Sequence, residues 1–279
     1  MTQEKSGPPA PIRMVALDLD GTTLRTDKTV GPRTIKALHA AHAKGVEIVL
    51  ASGRMTPAME VTANAIGLDV CLVSYNGAVA CSRVSEGRKR IYHQPLSPEI
   101  ARELFEYAHP RRYQINFYDN DVIVSEDTPY LRPFIDIYRS RTGSPFHIVD
   151  RLDTYLDRAP TKLLFCVEPS KRPGIEHDLR PRFESRTTML RTDPEYLEFL
   201  DPAVDKGLGV RKLAEMRGFG THEVMAMGDG ENDIAMLKIA GWAVAVANAG
   251  ETCKKAAQVI TQNDHDHDAV AEALERWVL

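Results

Sequence analysis

The sequence predicts an α/β protein with a Rossmann-like, doubly wound parallel-sheet core and an inserted α+β cap domain. Two observations lead to this prediction. Apolar β-type runs alternate with amphipathic helical segments over the first 76 residues and again from about residue 200, which is typical of βαβ units and a parallel sheet. Between these stretches, hairpin patterns are mixed with helices, as expected of an α+β insert.

The first part of the core is predicted to contain three strands and two helices. The apolar run MVALD at 14–18 precedes a helix that opens at Pro32, where proline suits the first turn, and ends at Gly45. Two further strands and the second helix are predicted at 46–52, 69–76 and 56–67. Strands that are apolar throughout are typical of a parallel sheet covered on both faces.

The middle of the chain is predicted to form the cap. The stretch YQINFYDNDVIVSED predicts a hairpin with its turn at Asp119, Asn120 and Asp121. The stretch SPEIARELFEYAHP predicts a helix capped by Ser97, with Pro98 in its first turn. The βα alternation then resumes, with helices at 206–217, 231–241, 250–258 and 269–279 and strands at 223–229, 242–249 and 259–261.

These patterns divide the chain into a disordered tail and three structured segments. The tail, MTQEKSGPPAP, is polar and rich in Pro and Gly, without the apolar stretch of a signal peptide. The predicted boundaries are 1–11 for the tail, 12–83 for the first core segment, 84–190 for the cap and 191–279 for the second core segment.

Composition argues against nucleic-acid and membrane partners. The formal net charge is -4, and no apolar run approaches the roughly 18 residues that a membrane span requires. The four cysteines are scattered without a CxxC pair, which favours buried thiols in a reducing compartment over a disulfide or zinc framework. We therefore expect a cytoplasmic protein that is a monomer or a small homo-oligomer.

Two acidic clusters follow predicted strands. Asp18 and Asp20 follow the strand in MVALDLDGTTL, and Asp229 and Asp233 follow another in MGDGENDIAML. Parallel sheets bind ligands at the carboxyl ends of their strands, so the four carboxylates should meet at one edge. Their repulsion would be relieved by Mg²⁺, which in turn would attract a phosphate. The structural alternative is that the second cluster only complements the dipole of a capped helix.

Two weaker signals concern the phosphate itself. In LASGR, the Ser52 hydroxyl and the backbone N–H groups around Gly53 could hold phosphate oxygens at the start of a helix. Lys206 opens the predicted helix in DPAVDKGLGV and could supply a positive charge to the same group. Most lysines are solvated surface residues and most Ser-Gly pairs form turns, so each of these two signals is weak alone. They gain weight from the order in which they and the two acidic clusters occur along the chain.

In this order the motifs resemble those of the haloacid dehalogenase-like phosphatases, specifically the Cof-like subfamily with a large α/β cap. DLDGTTL resembles the first family motif, ASGR the second, Lys206 in DKGLG the third and GDGENDIAML the fourth. SYNGA and VAVANAGETCKKAAQVIT resemble further subfamily signatures. The resemblance spans 13–279 and departs at Val246-Ala247, where the subfamily usually carries Met-Gly; this affects loop shape rather than chemistry.

The resemblance implies a role for each acidic residue. Asp18 would be the nucleophile that forms an aspartyl-phosphate, and Asp20 would protonate the leaving group and then deprotonate water. These tasks imply a higher pKa for Asp20 than for Asp18. Mg²⁺ would bind Asp18, the backbone carbonyl of Asp20, and Asp229. Asp233 would bind the metal through water or orient Lys206.

The resemblance also implies groups that bind the substrate. Ser52, Gly53, Lys206 and the backbone N–H groups of the loop up to Thr22 would hold the phosphate. Asn232 would contact a ligand or anchor its loop. The cap would act as a lid that excludes water. Its arginines could contact substrate or form surface ion pairs: Arg111, Arg112, Arg139, Arg141, Arg172 and Arg186.

Two further features have open interpretations. His265 and His267 in NDHDHD could bind a transition metal, although histidines two positions apart in a loop are more often exposed polar residues. Asn76 and Gly77 could line the pocket or simply form the turn that starts the cap.

The sequence thus predicts a Mg²⁺-dependent phosphatase that acts on small phosphate monoesters. Sugar phosphates are the first candidate substrates, and pyridoxal phosphate and FMN are the next. A phosphomutase on the same fold, or a non-catalytic protein that binds a phosphorylated metabolite, is the alternative. Loss of Asp18 or Asp20 would indicate the non-catalytic protein, and both residues are present.

Overall fold

The computed structural model describes residues 7–127, 132–142, 144 and 146–279, without the side chains of 140–142. This part of the chain forms two compact units: the residues up to Tyr92 together with Asp205–Leu279, and His93–Val204. The predicted tail lies partly outside the described residues, as does the side chain of Arg141.

The strands of the described residues form an eight-stranded and a six-stranded sheet. In chain order they are β1 (Met14–Asp18), β2 (Glu47–Ala51), β3 (Cys71–Ser74), β4 (Val79–Cys81), β5 (Arg90–His93), β6 (Gln114–Asp119), β7 (Val122–Glu126), β8 (Phe146–Val149), β9 (Leu163–Cys166), β10 (Thr188–Leu190), β11 (Tyr196–Leu200), β12 (Val224–Gly228), β13 (Trp242–Ala245) and β14 (Val259–Ile260).

The helices begin and end with the residues that local sequence rules favour. In chain order they are α1 (Pro32–Ala43), α2 (Thr56–Ile66), α3 (Pro98–Ala108), α4 (Arg132–Thr142), α5 (Arg172–Phe183), α6 (Lys206–Arg217), α7 (Ile234–Ile239), α8 (Glu251–Ala256) and α9 (Ala269–Trp277). The side chain of Asp205 accepts a hydrogen bond from the Leu208 N–H at 2.7 Å and caps α6. Gly218 ends the same helix with a φ of 69°.

The eight-stranded sheet has the order β14-β13-β12-β1-β2-β3-β4-β5. Strand β1 pairs in parallel with both β12 and β2. The chain winds outward from β1 through β2 and β3 on one side and continues through β12, β13 and β14 on the other. The strand order therefore reverses beside β1, and open α/β sheets bind ligands at the carboxyl ends of the strands at such a point. The predicted α/β fold with a parallel-sheet core is confirmed.

The second unit contains the six-stranded sheet, in the order β10-β11-β9-β6-β7-β8. Its pairs are antiparallel except β7 with β8. The predicted hairpin is confirmed: Asp119 pairs with Val122, and Asn120 and Asp121 form the turn with φ values of 48° and 62°. Ser97 caps α3 by accepting a hydrogen bond from the Ile100 N–H at 3.3 Å. Phe117 in β6 and Phe165 in β9 belong to an apolar cluster that also contains Leu104 in α3.

Some boundaries differ from those that the sequence predicted. The predicted cap at 84–190 begins before β5, which belongs to the eight-stranded sheet, and ends before β11, which belongs to the six-stranded one. The predicted helix at 231–241 is divided into a 3-10 turn at Glu231–Asp233 and the short helix α7. The N–H groups of Asp229 and Gly230 donate hydrogen bonds to the Asp233 carboxylate and hold this turn, and hydrophobic periodicity does not predict such a contact.

Two further expectations concern the thiols and the helices. The cysteines are buried thiols, as predicted: Cys71, Cys81, Cys166 and Cys253. In the part of the chain that the structure describes, no helix is both long enough and apolar enough to cross a membrane.

Candidate active site

The carboxyl ends of β1 and β12 bring the two acidic clusters together. Leu17 lies opposite Met227 in the parallel register, so the chain leaves both strands at the same edge of the sheet. Carboxylate oxygens of Asp18, Asp229 and Asp233 lie within 4.8 Å of one another. The structure therefore brings together three of the four predicted carboxylates.

Lys206 places a positive charge inside this cluster. It is the first residue of α6 and is fully buried. Its Nζ donates to Asp18 Oδ1 at 2.5 Å and to Asp233 Oδ1 at 2.6 Å. Burial alone would lower the pKa of Lys206, but the charges of the two carboxylates outweigh it and raise that pKa. The ammonium therefore stays charged and fixes the two carboxylates.

Asp233 is engaged through both of its oxygens. While Oδ1 binds Lys206, Oδ2 accepts hydrogen bonds from the N–H groups of Asp229 at 3.0 Å and Gly230 at 2.9 Å. The alternative that the second acidic cluster has a structural role is thus correct in part, since the Asp233 carboxylate holds a backbone turn. It also orients the amine beside Asp18.

Asp229 lies against the loop that follows β1. The Thr22 hydroxyl donates to Asp229 Oδ1 at 2.9 Å. Gly21 has a φ of 85°, and a Cβ at this position would lie 2.5 Å from Asp229 Oδ2, so glycine is required there. Burial raises the pKa of Asp229, and burial also raises the pKa of Asp18 well above its usual range, against the opposing charge of Lys206.

The side chain of Asp20 lies outside the carboxylate cluster. Arg54 donates to both of its oxygens, at 2.7 Å and 2.6 Å, and Lys28 Nζ donates to Oδ1 at 3.0 Å. Burial would raise the pKa of Asp20, but these hydrogen bonds and charges outweigh burial and lower it. Without a bound metal, the two pKa values therefore shift in directions opposite to the predicted order, because Asp18 is buried among carboxylates and Asp20 has two cationic partners.

The remaining predicted residues surround the same edge. Ser52 follows β2 and is buried, and its Oγ accepts a hydrogen bond from the Arg54 N–H at 3.2 Å. Gly53 is the next residue in this loop. Asn232 Nδ2 donates to Asn76 Oδ1 at 3.1 Å, so Asn232 anchors its loop. Sequence reasoning missed Arg54, although the motif ASGR contains it.

The candidate arginines of the cap and the candidate histidines of the NDHDHD loop contact other residues of the protein. Arg186 binds Glu103, Arg172 donates to the Asp193 carbonyl, and Arg139 lies over the Phe146 ring. His265 Nε2 lies 3.3 Å from Thr26 Oγ1, whereas His267 Nδ1 lies 2.6 Å from Asp264 Oδ1. Among the residues that the structure describes, only the Asp18, Asp229 and Asp233 cluster has the spacing of a metal site.

Comparisons with known proteins indicate the family to which this chain is similar. The crystal structure of a haloacid dehalogenase-like hydrolase from Bacteroides thetaiotaomicron is similar, with a TM-score of 0.84 and 32% identity, over 95% of this chain and 99% of that one. The 5-amino-6-(5-phospho-D-ribitylamino)uracil phosphatase YcsE of Bacillus subtilis (strain 168) is 28% identical over 270 residues, which cover 96% of each chain.

A third relative is much longer than this chain. The chloroplastic endoribonuclease YBEY of Arabidopsis thaliana is 29% identical over 271 residues, and the match covers 93% of this chain but only 45% of that protein. The family model for haloacid dehalogenase-like hydrolases matches residues 15–274. The chain therefore belongs to the haloacid dehalogenase-like hydrolase family.

Proposed function

We propose that this protein is a Mg²⁺-dependent phosphatase that hydrolyses small phosphate monoesters through an aspartyl-phosphate on Asp18. The observation that carries the proposal is the buried cluster at the strand ends. Its three carboxylates and one ammonium have a formal charge of −2 when all are ionised. One divalent cation would neutralise that charge and would add affinity for a phosphate dianion.

The donor set suits Mg²⁺ in chemistry and number. Carboxylate oxygens of Asp18 and Asp229 lie within 4.8 Å of each other, so their negative charges repel unless a proton or a cation offsets them. Asp18, Asp229 and the backbone carbonyl of Asp20 would hold the ion, while Asp233 orients Lys206. Bound Mg²⁺ would offset the repulsion between a carboxylate and a phosphate dianion and favour ionised Asp18.

Asp18 is the proposed nucleophile. Its carboxylate oxygen forms a bond to phosphorus while the bond between phosphorus and the leaving-group oxygen breaks. Water then attacks the same phosphorus, releases phosphate and restores the carboxylate. Lys206 holds Asp18 in place through Oδ1. The ammonium, Ser52 and the N–H groups near Gly53 and Thr22 would carry the charge on the phosphoryl oxygens.

Asp20 is the proposed general acid and base. In the first displacement it gives a proton to the departing alkoxide, and in the second it takes one from water. The ion pairs with Arg54 and Lys28 favour its ionised form, which suits the second task. For the first task, Asp20 must acquire a proton.

Small phosphorylated metabolites are the proposed substrates, with sugar phosphates first and pyridoxal phosphate and FMN next. Support comes from the relative YcsE, whose name gives a phosphorylated ribityl group as its substrate. We place the enzyme in the cytoplasm, since the buried thiols suit a reducing compartment.

The test is phosphate release from a panel of sugar phosphates, pyridoxal phosphate, FMN and nucleotides, with Mg²⁺ or EDTA. Wild type should release phosphate only with the metal, and Asp18→Asn should lose at least about 10³-fold in kcat. An isomerised sugar phosphate without free phosphate would indicate a phosphomutase. Tight binding without any turnover would indicate a non-catalytic binding protein.

A further inference from the structure

The chain turns sharply after β3 through three left-handed residues. Tyr75, Asn76 and Gly77 have φ values of 52°, 53° and 102°, and we call them the left-handed turn. This conformation costs about 1–2 kcal/mol for each residue that carries a Cβ. Gly77 cannot be replaced, since a Cβ there would lie 1.9 Å from the Asp205 carbonyl oxygen. Strain of this kind is concentrated at functional sites and persists where the surroundings enforce it.

The left-handed turn holds both ends of the loop that follows β2. The Tyr75 N–H donates to the Arg54 carbonyl at 2.9 Å, and the Asn76 N–H donates to the Ser52 carbonyl at 3.0 Å. The Asn76 side chain also lies against Gly53, where an added Cβ would be 3.0 Å from Asn76 Nδ2. The backbone and the side chain of Asn76 together therefore set the shape of this loop.

The same turn contacts the other two segments of the site. Asn76 Oδ1 accepts the hydrogen bond from Asn232, which lies between Asp229 and Asp233 in the chain. Gly77 packs against the backbone of Asp205, the residue before Lys206. Asn76 is itself buried. The left-handed turn thus connects three segments: the loop at residues 52–54, the loop at residues 229–233, which we call the acidic loop, and the start of α6.

We propose that Asn76 is a positioning residue that fixes the Ser52–Gly53 loop relative to the acidic loop through its hydrogen bond with Asn232. The inference rests on the proposed phosphatase function. Its physical reason is that a shift of about 1 Å in groups that hold a reacting phosphate can cost about 10²-fold in rate. The competing explanation is that Asn76 only stabilises the turn.

The substitution Asn76→Gly separates the two explanations. Glycine accepts the left-handed backbone without strain, so it removes the side chain and keeps the turn. We expect kcat/KM to fall between about tenfold and 100-fold at 25 °C, with KM raised and kcat lowered, while Tm stays within a few degrees of wild type. Asn120→Gly is the matched control, because Asn120 is also left-handed but lies exposed in the β6–β7 turn.

A double-mutant cycle tests the proposed link to Asn232. If the two side chains act through their hydrogen bond, Asn76→Gly with Asn232→Ala should lose little more than the more damaging single substitution. Independent, additive losses in kcat/KM would overturn the coupling. A lower Tm with unchanged kcat and KM would overturn the positioning role.

Failure of the inference can be told apart from failure of the proposed function. If wild type and Asn120→Gly hydrolyse the panel and Asn76→Gly matches them, only the inference fails. If none of the three releases phosphate, the proposed function fails. In that case, the role of Asn76 is tested by the binding of orthophosphate in the presence of Mg²⁺, which is measured as a rise in Tm. A smaller rise for Asn76→Gly than for Asn120→Gly would support the role, and equal rises would reject it.

Discussion

Asp20, the proposed general acid, has an unusual set of partners for that role. Arg54 binds both of its oxygens and Lys28 binds one. An opposite charge at this distance favours the ionised carboxylate, so the pKa of Asp20 falls although burial opposes the change. The surroundings of Asp20 therefore disfavour the proton that the proposed first displacement requires.

This arrangement predicts how activity responds to pH. When kcat/KM is plotted against pH for unactivated alkyl phosphates, ionisation of Asp20 should cause the fall at high pH, which we call the alkaline limb. These substrates need a proton on the leaving group. Because Arg54 lowers the pKa of Asp20, Arg54→Ala should raise it and move that limb to higher pH. Arg33→Ala removes an arginine that pairs with Glu275 and should leave the limb in place. A limb that stays fixed in Arg54→Ala, or moves to lower pH, would contradict the assignment.

At the scale of elements, helix α6 is fixed at both ends. Asp205 caps its start, where Lys206 enters the site. At its end, Arg217 binds Glu86 at 2.6 Å and Glu47 in β2 at 3.2 Å. Arg217 thus ties the far end of the helix to the sheet and to the 3-10 turn at Val84–Glu86.

Removal of Arg217 should destabilise the protein. Arg217→Ala removes the ion pairs with Glu86 and with the buried Glu47, which keeps Arg83 at 3.7 Å, and should lower the free energy of unfolding by about 1.5–3 kcal/mol near neutral pH. Lys212→Ala, on the same helix in an exposed pair with Glu215, should change it by less than about 1 kcal/mol. Urea unfolding measures both values. Equal effects of the two substitutions would contradict this role of Arg217.

The Arg217 effect should also depend on pH. The hydrogen bond from Arg217 is the largest cause that lowers the pKa of Glu86 to about 2, and a hydrogen bond from Arg83 adds to it. Stabilisation by a depressed carboxyl pKa is complete above the unfolded value of about 4.3 and is lost as pH falls through the folded value. The difference between wild type and Arg217→Ala should therefore narrow as pH is lowered from about 5 to about 3. A difference that widens over this range would contradict the ion pair.

At the scale of the whole molecule, the second unit is one continuous segment with its own apolar core. Residues 93–204 should therefore fold when expressed alone, with a single cooperative thermal transition in circular dichroism. Phe165→Ala in this fragment should lower its stability by about 3–5 kcal/mol, because the side chain is fully buried in that core. Absence of a cooperative transition in the unsubstituted fragment would contradict an independent unit.

The parts of the site that the sequence predicted well are those that strand ends determine. Asp18 ends β1 and Asp229 follows β12, and strand periodicity with parallel pairing is enough to bring them together. The orientation of Asp20 could not be predicted in this way, since its partner Arg54 lies 34 positions away in the chain and binds through a side chain. The role of Asn76 depends on backbone dihedral angles, which a single Asn-Gly pair does not specify. In the second unit, the ion pair of Arg186 could not be predicted from local spacing, because its acidic partner Glu103 is distant in the sequence.

In the proposed mechanism, Asp18 carries the phosphoryl group during turnover. The direct measurement is the mass of acid-quenched Asp20→Asn protein after reaction with an activated phosphate ester and Mg²⁺. Such an ester needs no protonated leaving group, so the first displacement should proceed while the second, which needs a base, stalls. We predict one added phosphoryl group in the peptide containing Asp18, and none when Asp18→Asn is also present. A phosphoryl group on another residue, or turnover without any covalent adduct, would contradict the account.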